Sequence, residues 1–200
     1  ADDKLKTAAV NGDTKSMILL GKCYENGAGV EVDSSQAFSW FQKAANKGDG
    51  DAWILVSSYY LEGVYAPKDT ARYLQIRKEW AGKGLPEGLA ALGRAYVNGY
   101  GVEVDSVKAL ELFQQAASKG SASACVALAT AYRYGMFKLP KDDKMFLKYA
   151  QLAWNQKEYY AGGLMADYYF QNNEYKKGWK YLNEAVKWGD VPSKMLSVQS

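Results

Sequence analysis

The sequence predicts an all-α protein, an array of about five helix–turn–helix repeats of 36 residues with half a repeat at the N-terminus. Three observations predict it. First, Tyr24, Tyr60, Tyr96, Tyr132 and Tyr168 fall on a strict 36-residue spacing. Second, other columns keep the same period: Gly12, Gly48, Gly84 and Gly120 with Gln156 in the next slot, then Ala9, Ala45, Ala81, Ala117 and Ala153, then Gly27, Gly63, Gly99 and Gly135. Columns that agree in register are the signature of a repeat architecture, not of composition. Third, the apolar residues inside a unit recur at helical spacing. Ala109, Leu112, Phe113, Ala116 and Ala117 follow i, i+3, i+4, i+7, i+8, the stripe of an amphipathic helix.

Residues 1–12 form the half-repeat, because LKTAAVNG matches the end of a second helix, with Ala8 and Ala9 in the slots of Ala44 and Ala45. Full units follow at 13–48, 49–84, 85–120, 121–156 and 157–189. In each, a first helix such as SMILLGKCYENG stops at a glycine able to take the left-handed conformation. A loop follows, GAGVEVD or GYGVEVD, and the second helix opens at Asp33 or Asp105, whose carboxylates suit the N-cap position. Asp33 with Gln36 fits a capping box loosely. Gly21 and Gly93, with Ser57 and Ala129 in the same slot, mark close helix approaches. Tyr24 or Tyr96 is expected to pack over the neighbouring helix there. Cys23 and Cys125 read as buried core residues, too far apart in the array to bridge. The fifth unit is three residues shorter, FQNNEYKKG replacing the glycine loop and Gly189 closing it. Residues 190–200, with Pro192 in a first turn, are expected to cap a single solenoid domain spanning 1–200.

Composition narrows the function classes. Apolar content is 48%, and no stretch approaches the ~20 consecutive apolar residues of a membrane-spanning helix. The net charge of +3 comes from 25 basic and 22 acidic residues, well interspersed, which argues against binding nucleic acid by phosphate neutralisation. Histidine is absent, removing the commonest general base and zinc ligand. Two cysteines cannot build a thiolate metal site. No phosphate loop or nucleophile elbow is present, so no catalytic residue, cofactor or metal is expected. The opening Ala1-Asp2-Asp3-Lys4 resembles a mature terminus left by signal-peptide removal, as a trimmed sequence also would. Export to the periplasm, or secretion, is the expectation.

The motif LG-xx-Y-xx-G-x-GV-xx-D-xx-KA, continuing through WF or LF to AA-xx-G, resembles the Sel-like repeat family, relatives of the tetratricopeptide repeats. Gly27, Gly29, Val30 and Asp33, and Gly99, Gly101, Val102 and Asp105, carry its loop signature. The second unit departs with GVYAPKD, the fourth inserts Pro140 in GMFKLPKDD, and the fifth loses the loop. Its cysteine-rich branch stitches each unit with a disulfide, and those cysteine pairs are missing here. The resemblance implies a right-handed α–α solenoid superhelix and a binding or adaptor role. It also implies that first helices line a concave face. That face would present Lys22, Glu25, Asn26, Ser58, Glu62, Arg94, Asn98, Thr130, Arg133, Tyr134, Ala166, Tyr169 and Phe170.

Later units carry aromatics beyond the tyrosine column, and Tyr168 and Tyr169 diverge by about 100° around a helix axis. A partner-binding surface is therefore expected around Arg94, Arg133, Tyr134, Tyr169 and Phe170, joined by Asn98, Lys22 and Glu62. Exposed tyrosine beside arginine is the composition of binding hot spots. Alanine at Arg133 or Tyr134 is expected to leave stability nearly intact. The alternative is that these aromatics pack on the C-terminal tail and seal the last unit. Resemblance to exported members of the family implies a protein partner, sharpest as a secreted type VI lipase-type effector neutralised by an immunity protein. An adaptor for envelope enzymes or secretion components, or a host-protein binder, is the alternative; an enzyme or ligand carrier is least favoured.

Overall fold

The computed structural model describes residues 2–65 and 67–188. Among them are eleven α-helices and no strand, the all-α repeat array that the columns predict. Gly189 and the expected cap at 190–200 lie outside the described residues. The helices group into two compact units, Ala1–Asp105 and Ser106–Ser200. The first holds α1 (Asp3–Val10), α2 (Thr14–Asn26), α3 (Ser34–Asn46), α4 (Gly50–Glu62), α5 (Thr70–Gly82) and α6 (Pro86–Asn98). The second holds α7 (Ser106–Ser118), α8 (Ala122–Tyr134), α9 (Asp143–Trp154), α10 (Tyr159–Gln171) and α11 (Tyr175–Trp188). The boundary falls in the loop of the third repeat.

Helix starts follow from local chemistry. Asp13, Asp33, Asp49 and Asp69 each accept a bond from the backbone N–H three residues on, at 2.8, 3.0, 3.1 and 2.8 Å. Each such cap is worth about 1 kcal/mol. The first helices stop at Gly27, Gly63, Gly99 and Gly135, all left-handed with φ near +70°. The loops then close on the tyrosine column through its backbone. The N–H groups of Asp33, Asp69, Asp105 and Asp142 donate to the carbonyls of Tyr24, Tyr60, Tyr96 and Tyr132 at 2.9, 2.7, 3.1 and 3.0 Å.

The close approach expected at Gly21 is present, with a different occupant. A Cβ there would lie 2.5 Å from the Phe41 ring, so the side chain seated on the glycine is Phe41 of α3. Tyr24 is only half-buried. Phe41 itself is fully buried. Cys125 is buried as expected, but Cys23 is half-buried.

One residue inserted in the fourth loop shifts the register beyond it. Phe137 and Lys138 take φ of +56° and +61° there, and α9 starts one residue late. The buried positions of α3 are Ala37, Phe41, Ala44 and Ala45; those of α9 are Phe146, Ala150, Ala153 and Trp154, an offset of 109 rather than 108 residues. Ala153 therefore sits in the place of Ala44, not of Ala45. The large and small residues exchange places, Phe146 standing where Ala37 does and Ala150 where Phe41 does. The left-handed residue that closes this unit is Lys157, φ +61°, not Gln156. The offset persists in α10, whose span Tyr159–Gln171 matches Gly50–Glu62 of α4. Hence Tyr169 is the structural counterpart of Tyr60, and Tyr168 that of Tyr59, despite the numerical spacing of Tyr168.

Candidate functional site

The last two residues of each first helix form two columns with opposite fates. Corrected for the offset, one column is Glu25, Leu61, Val97, Arg133 and Phe170, and every member is half-buried. The next is Asn26, Glu62, Asn98, Tyr134 and Gln171, and every member is exposed. A rotation of one residue about the helix separates a half-buried position from an exposed one.

In the first unit, Lys22, Glu62 and Asn98 are exposed and Arg94 is half-buried. Asn98 donates from Nδ2 to the Arg94 carbonyl at 3.0 Å. Burial pulls the Arg94 guanidinium below its ordinary value, with Glu87 and Tyr73 opposing. Glu25 accepts a 3.0 Å bond from the Tyr59 hydroxyl. Burial and then that carboxylate push the Tyr59 hydroxyl up.

In the second unit the same inter-hairpin seat is filled by Arg133 and Tyr168. The Arg133 guanidinium lies 5.0 Å from the Tyr168 ring centre and 5.6 Å from that of Phe146. It pairs with Asp143 and with Asp167, each at 3.9 Å, and donates to Gln171 Oε1. Gln171 in turn donates to Asp167 at 2.8 Å. The Arg133 side chain is 14% exposed, so it is a half-buried clasp and not the open contact expected of it. Tyr134, its neighbour in sequence, is 52% exposed.

Tyr169 and Phe170 also turn inward. Tyr169 stacks on Tyr181 of α11 with ring centres 5.6 Å apart. Phe170 meets Trp179 edge-on at 5.4 Å, over Gly178, where a Cβ would lie 2.5 Å from the ring. Their packing on α11 closes this hairpin; packing on the C-terminal tail, the alternative expected of them, lies outside the described residues. What remains open in the second unit is Tyr134, Gln171, and the carboxylates of Asp143 and Asp167, whose side chains are 57% and 47% exposed. The register offset hid Gln171, and nothing in the repeat pattern marks Asp143 or Asp167. Together they offer one amphipathic ring and hydrogen-bond acceptors beside a cation already neutralised from within. Among the described residues no group of three His, Cys, Asp or Glu is placed to hold a metal. No described helix is long and apolar enough to cross a membrane.

No curated protein matches the chain in sequence. The chain is similar in fold to a Sel1 repeat protein from Oxalobacter formigenes, with TM-score 0.68 and 22% identity over 90% of this chain and 74% of that one. It is also similar to a protective antigen of uropathogenic Escherichia coli displaying an SLR fold, with TM-score 0.63 and 27% identity over 94% of this chain. It spans 41% of that antigen's length. An immunity protein from Pseudomonas aeruginosa gives TM-score 0.68 and 22% identity over 88% of this chain and 65% of that one. The Sel1 repeat profile matches residues 14–49, 86–121 and 122–157, more than half of the sequence and in phase with the helix hairpins. The chain belongs to the Sel1 repeat family.

Proposed function

We propose that this chain is a non-catalytic scaffold that binds another protein, and that it serves as an immunity protein capturing a secreted toxin in the periplasm. Exposed positions at the ends of first helices carry the binding part of this reading: Asn26, Glu62 and Asn98 in the first unit, Tyr134 and Gln171 in the second. The preceding position is half-buried in every repeat and this one is exposed, so its side chains can be chosen for a partner at small expense to the fold. In the second unit Tyr134 supplies the apolar anchor. Asp143, Asp167 and Gln171 supply acceptors for a donor-rich surface. Arg133 positions both carboxylates. Arg94 with Asn98, Lys22 and Glu62 are the corresponding candidates in the first unit, and Tyr169 and Phe170 act by holding α10 on α11. The immunity role is supported by fold likeness to an immunity protein of Pseudomonas aeruginosa, which is analogy at the level of architecture.

Co-expression tests it. The immunity role requires a secreted effector encoded beside this gene, and that effector is produced in the periplasm of a susceptible host, with and without the chain. Growth rescued by the wild-type chain supports the immunity role. A chain that fractionates with the periplasm yet neither rescues growth nor binds the effector overturns it.

A further inference from the structure

The second repeat departs from its neighbours in a way the protein-binding reading does not use. The core column that holds Phe41 in the first repeat and Phe113 in the third holds Arg77 in the second. The slot of Gly21, on which Phe41 sits, holds Ser57. A ring on a glycine has been replaced by a guanidinium beside a hydroxyl. Arg77 is 6% exposed and Ser57 fully buried. Both line a small crevice among α4, α5 and α6, together with Trp53 and Trp80.

The polar atoms around this crevice are unbalanced. Arg77 donates from one terminal nitrogen to the Ala91 carbonyl at 3.2 Å, and its guanidinium lies 4.5 Å from the Tyr73 ring centre. Its Nε–H has no acceptor among the described residues, nor has Nε1–H of Trp53 or of Trp80, and all three atoms are buried. Nearly all buried N–H groups in folded proteins are satisfied. Three orphaned donors on side chains that line one crevice call for an acceptor there. The Ser57 hydroxyl, which also lines the crevice, donates to the Ile54 carbonyl at 2.8 Å and accepts from none of the three.

Charge decides what kind of acceptor. No carboxylate of the described residues pairs with Arg77. Burial pulls its guanidinium below the ordinary value, Tyr73 opposes this, and the nearby Arg94 adds to it. A further cation, Lys83, lies 4.9 Å from the Trp80 ring centre and 5.6 Å from that of Trp53. A buried cation without a counter-charge is strongly unfavourable. Water would satisfy the donors and leave the charge uncompensated. An anion does both.

We infer that the crevice between α4, α5 and α6 binds a small monovalent anion of halide size, chloride in the cell, held by Arg77, Trp53 and Trp80. The apolar walls, Ile54 and Ile76 among them, favour a weakly hydrated monovalent ion over phosphate or sulfate. The tight packing of Trp80 on Gly88, where a Cβ would lie 2.4 Å from the indole, fixes the orientation of one donor.

The test is urea unfolding of the full chain at constant ionic strength, with sodium chloride exchanged for sodium gluconate. Above its dissociation constant, each tenfold rise in chloride should lower the unfolding equilibrium constant tenfold. Trp53→Phe and Trp80→Phe keep the ring and delete one donor, and each should weaken chloride binding about tenfold. Arg77→Met should abolish the dependence, and the two Trp→Phe variants decide the matter if it does not fold. In crystals soaked in bromide, an anomalous peak is expected within contact of the two indole nitrogens and Arg77 Nε. Stability of the wild type that ignores chloride, a dependence unchanged in all the variants that fold, or a crevice without a bromide peak would each overturn the inference.

Discussion

Arg133 and Tyr134 are adjacent in sequence and equally inviting as surface residues, yet the structure separates them, and alanine at each should show it. Truncating Arg133 removes two ion pairs at 3.9 Å to roughly half-exposed carboxylates, worth about 0.5 kcal/mol each at most. It removes ring contacts at 5.0 and 5.6 Å, together about 1 kcal/mol, and a hydrogen bond to Gln171 of about 1 kcal/mol. Against this, one buried donor with no acceptor, Nε, disappears, returning about 1 kcal/mol. The net loss should be about 1–2 kcal/mol. Tyr134 is 52% exposed, and its alanine variant should stay within about 0.5 kcal/mol of wild type. Urea unfolding followed by far-UV circular dichroism measures both, and Arg133→Met, which keeps the aliphatic stem, should fall between. Equal stability of the two alanine variants, or a larger loss at Tyr134, would refute the division between buried and open columns.

Lys138 is exposed with φ +61°, so Lys138→Gly should raise stability by about 1 kcal/mol in the same assay, the left-handed penalty less the added chain entropy of glycine. Gly101→Ala should do the reverse, by at least ~2 kcal/mol: its φ is +74° and the new Cβ would lie 2.2 Å from the Thr70 carbonyl oxygen. Alkali should unfold the chain through its tyrosines. Burial raises the hydroxyls of Tyr59, Tyr73, Tyr149 and Tyr181 above their ordinary value of 10.0. The native state then keeps protons that the unfolded chain has released. Their contribution is whole below pH 10 and is lost as pH rises through the folded values. Urea midpoints measured from pH 8 upward should fall above pH 10, and less steeply in Tyr59→Phe.

Much of this fold is written in the numbers that separate its tyrosines, glycines and alanines, because each hairpin meets the same neighbours and selects the same residue sizes. The loss of phase after Pro140 is not written there. A one-residue insertion shifted every later position, and the pair Tyr168-Tyr169 concealed it by offering a tyrosine to either register. That concealment placed Phe170 in the open column, where Gln171 belongs. Spacing also named the wrong ring for Gly21, since it locates a gap without saying which helix fills it; Phe41 reaches it from α3. Arg77 could have been found from sequence, as an arginine in a column of phenylalanines. Asp143 and Asp167 could not, because their relation to Arg133 exists only once α8, α9 and α10 are packed.

The proposed function requires that the exposed side chains at first-helix ends hold another protein. Calorimetric titration of the chain with the purified effector encoded beside it tests that most directly. The prediction is a one-to-one complex that Tyr134→Ala weakens at least about tenfold with its urea midpoint unchanged. No heat of binding, or a complex indifferent to substitution at Tyr134, Gln171, Asp143 and Asp167 alike, would contradict it.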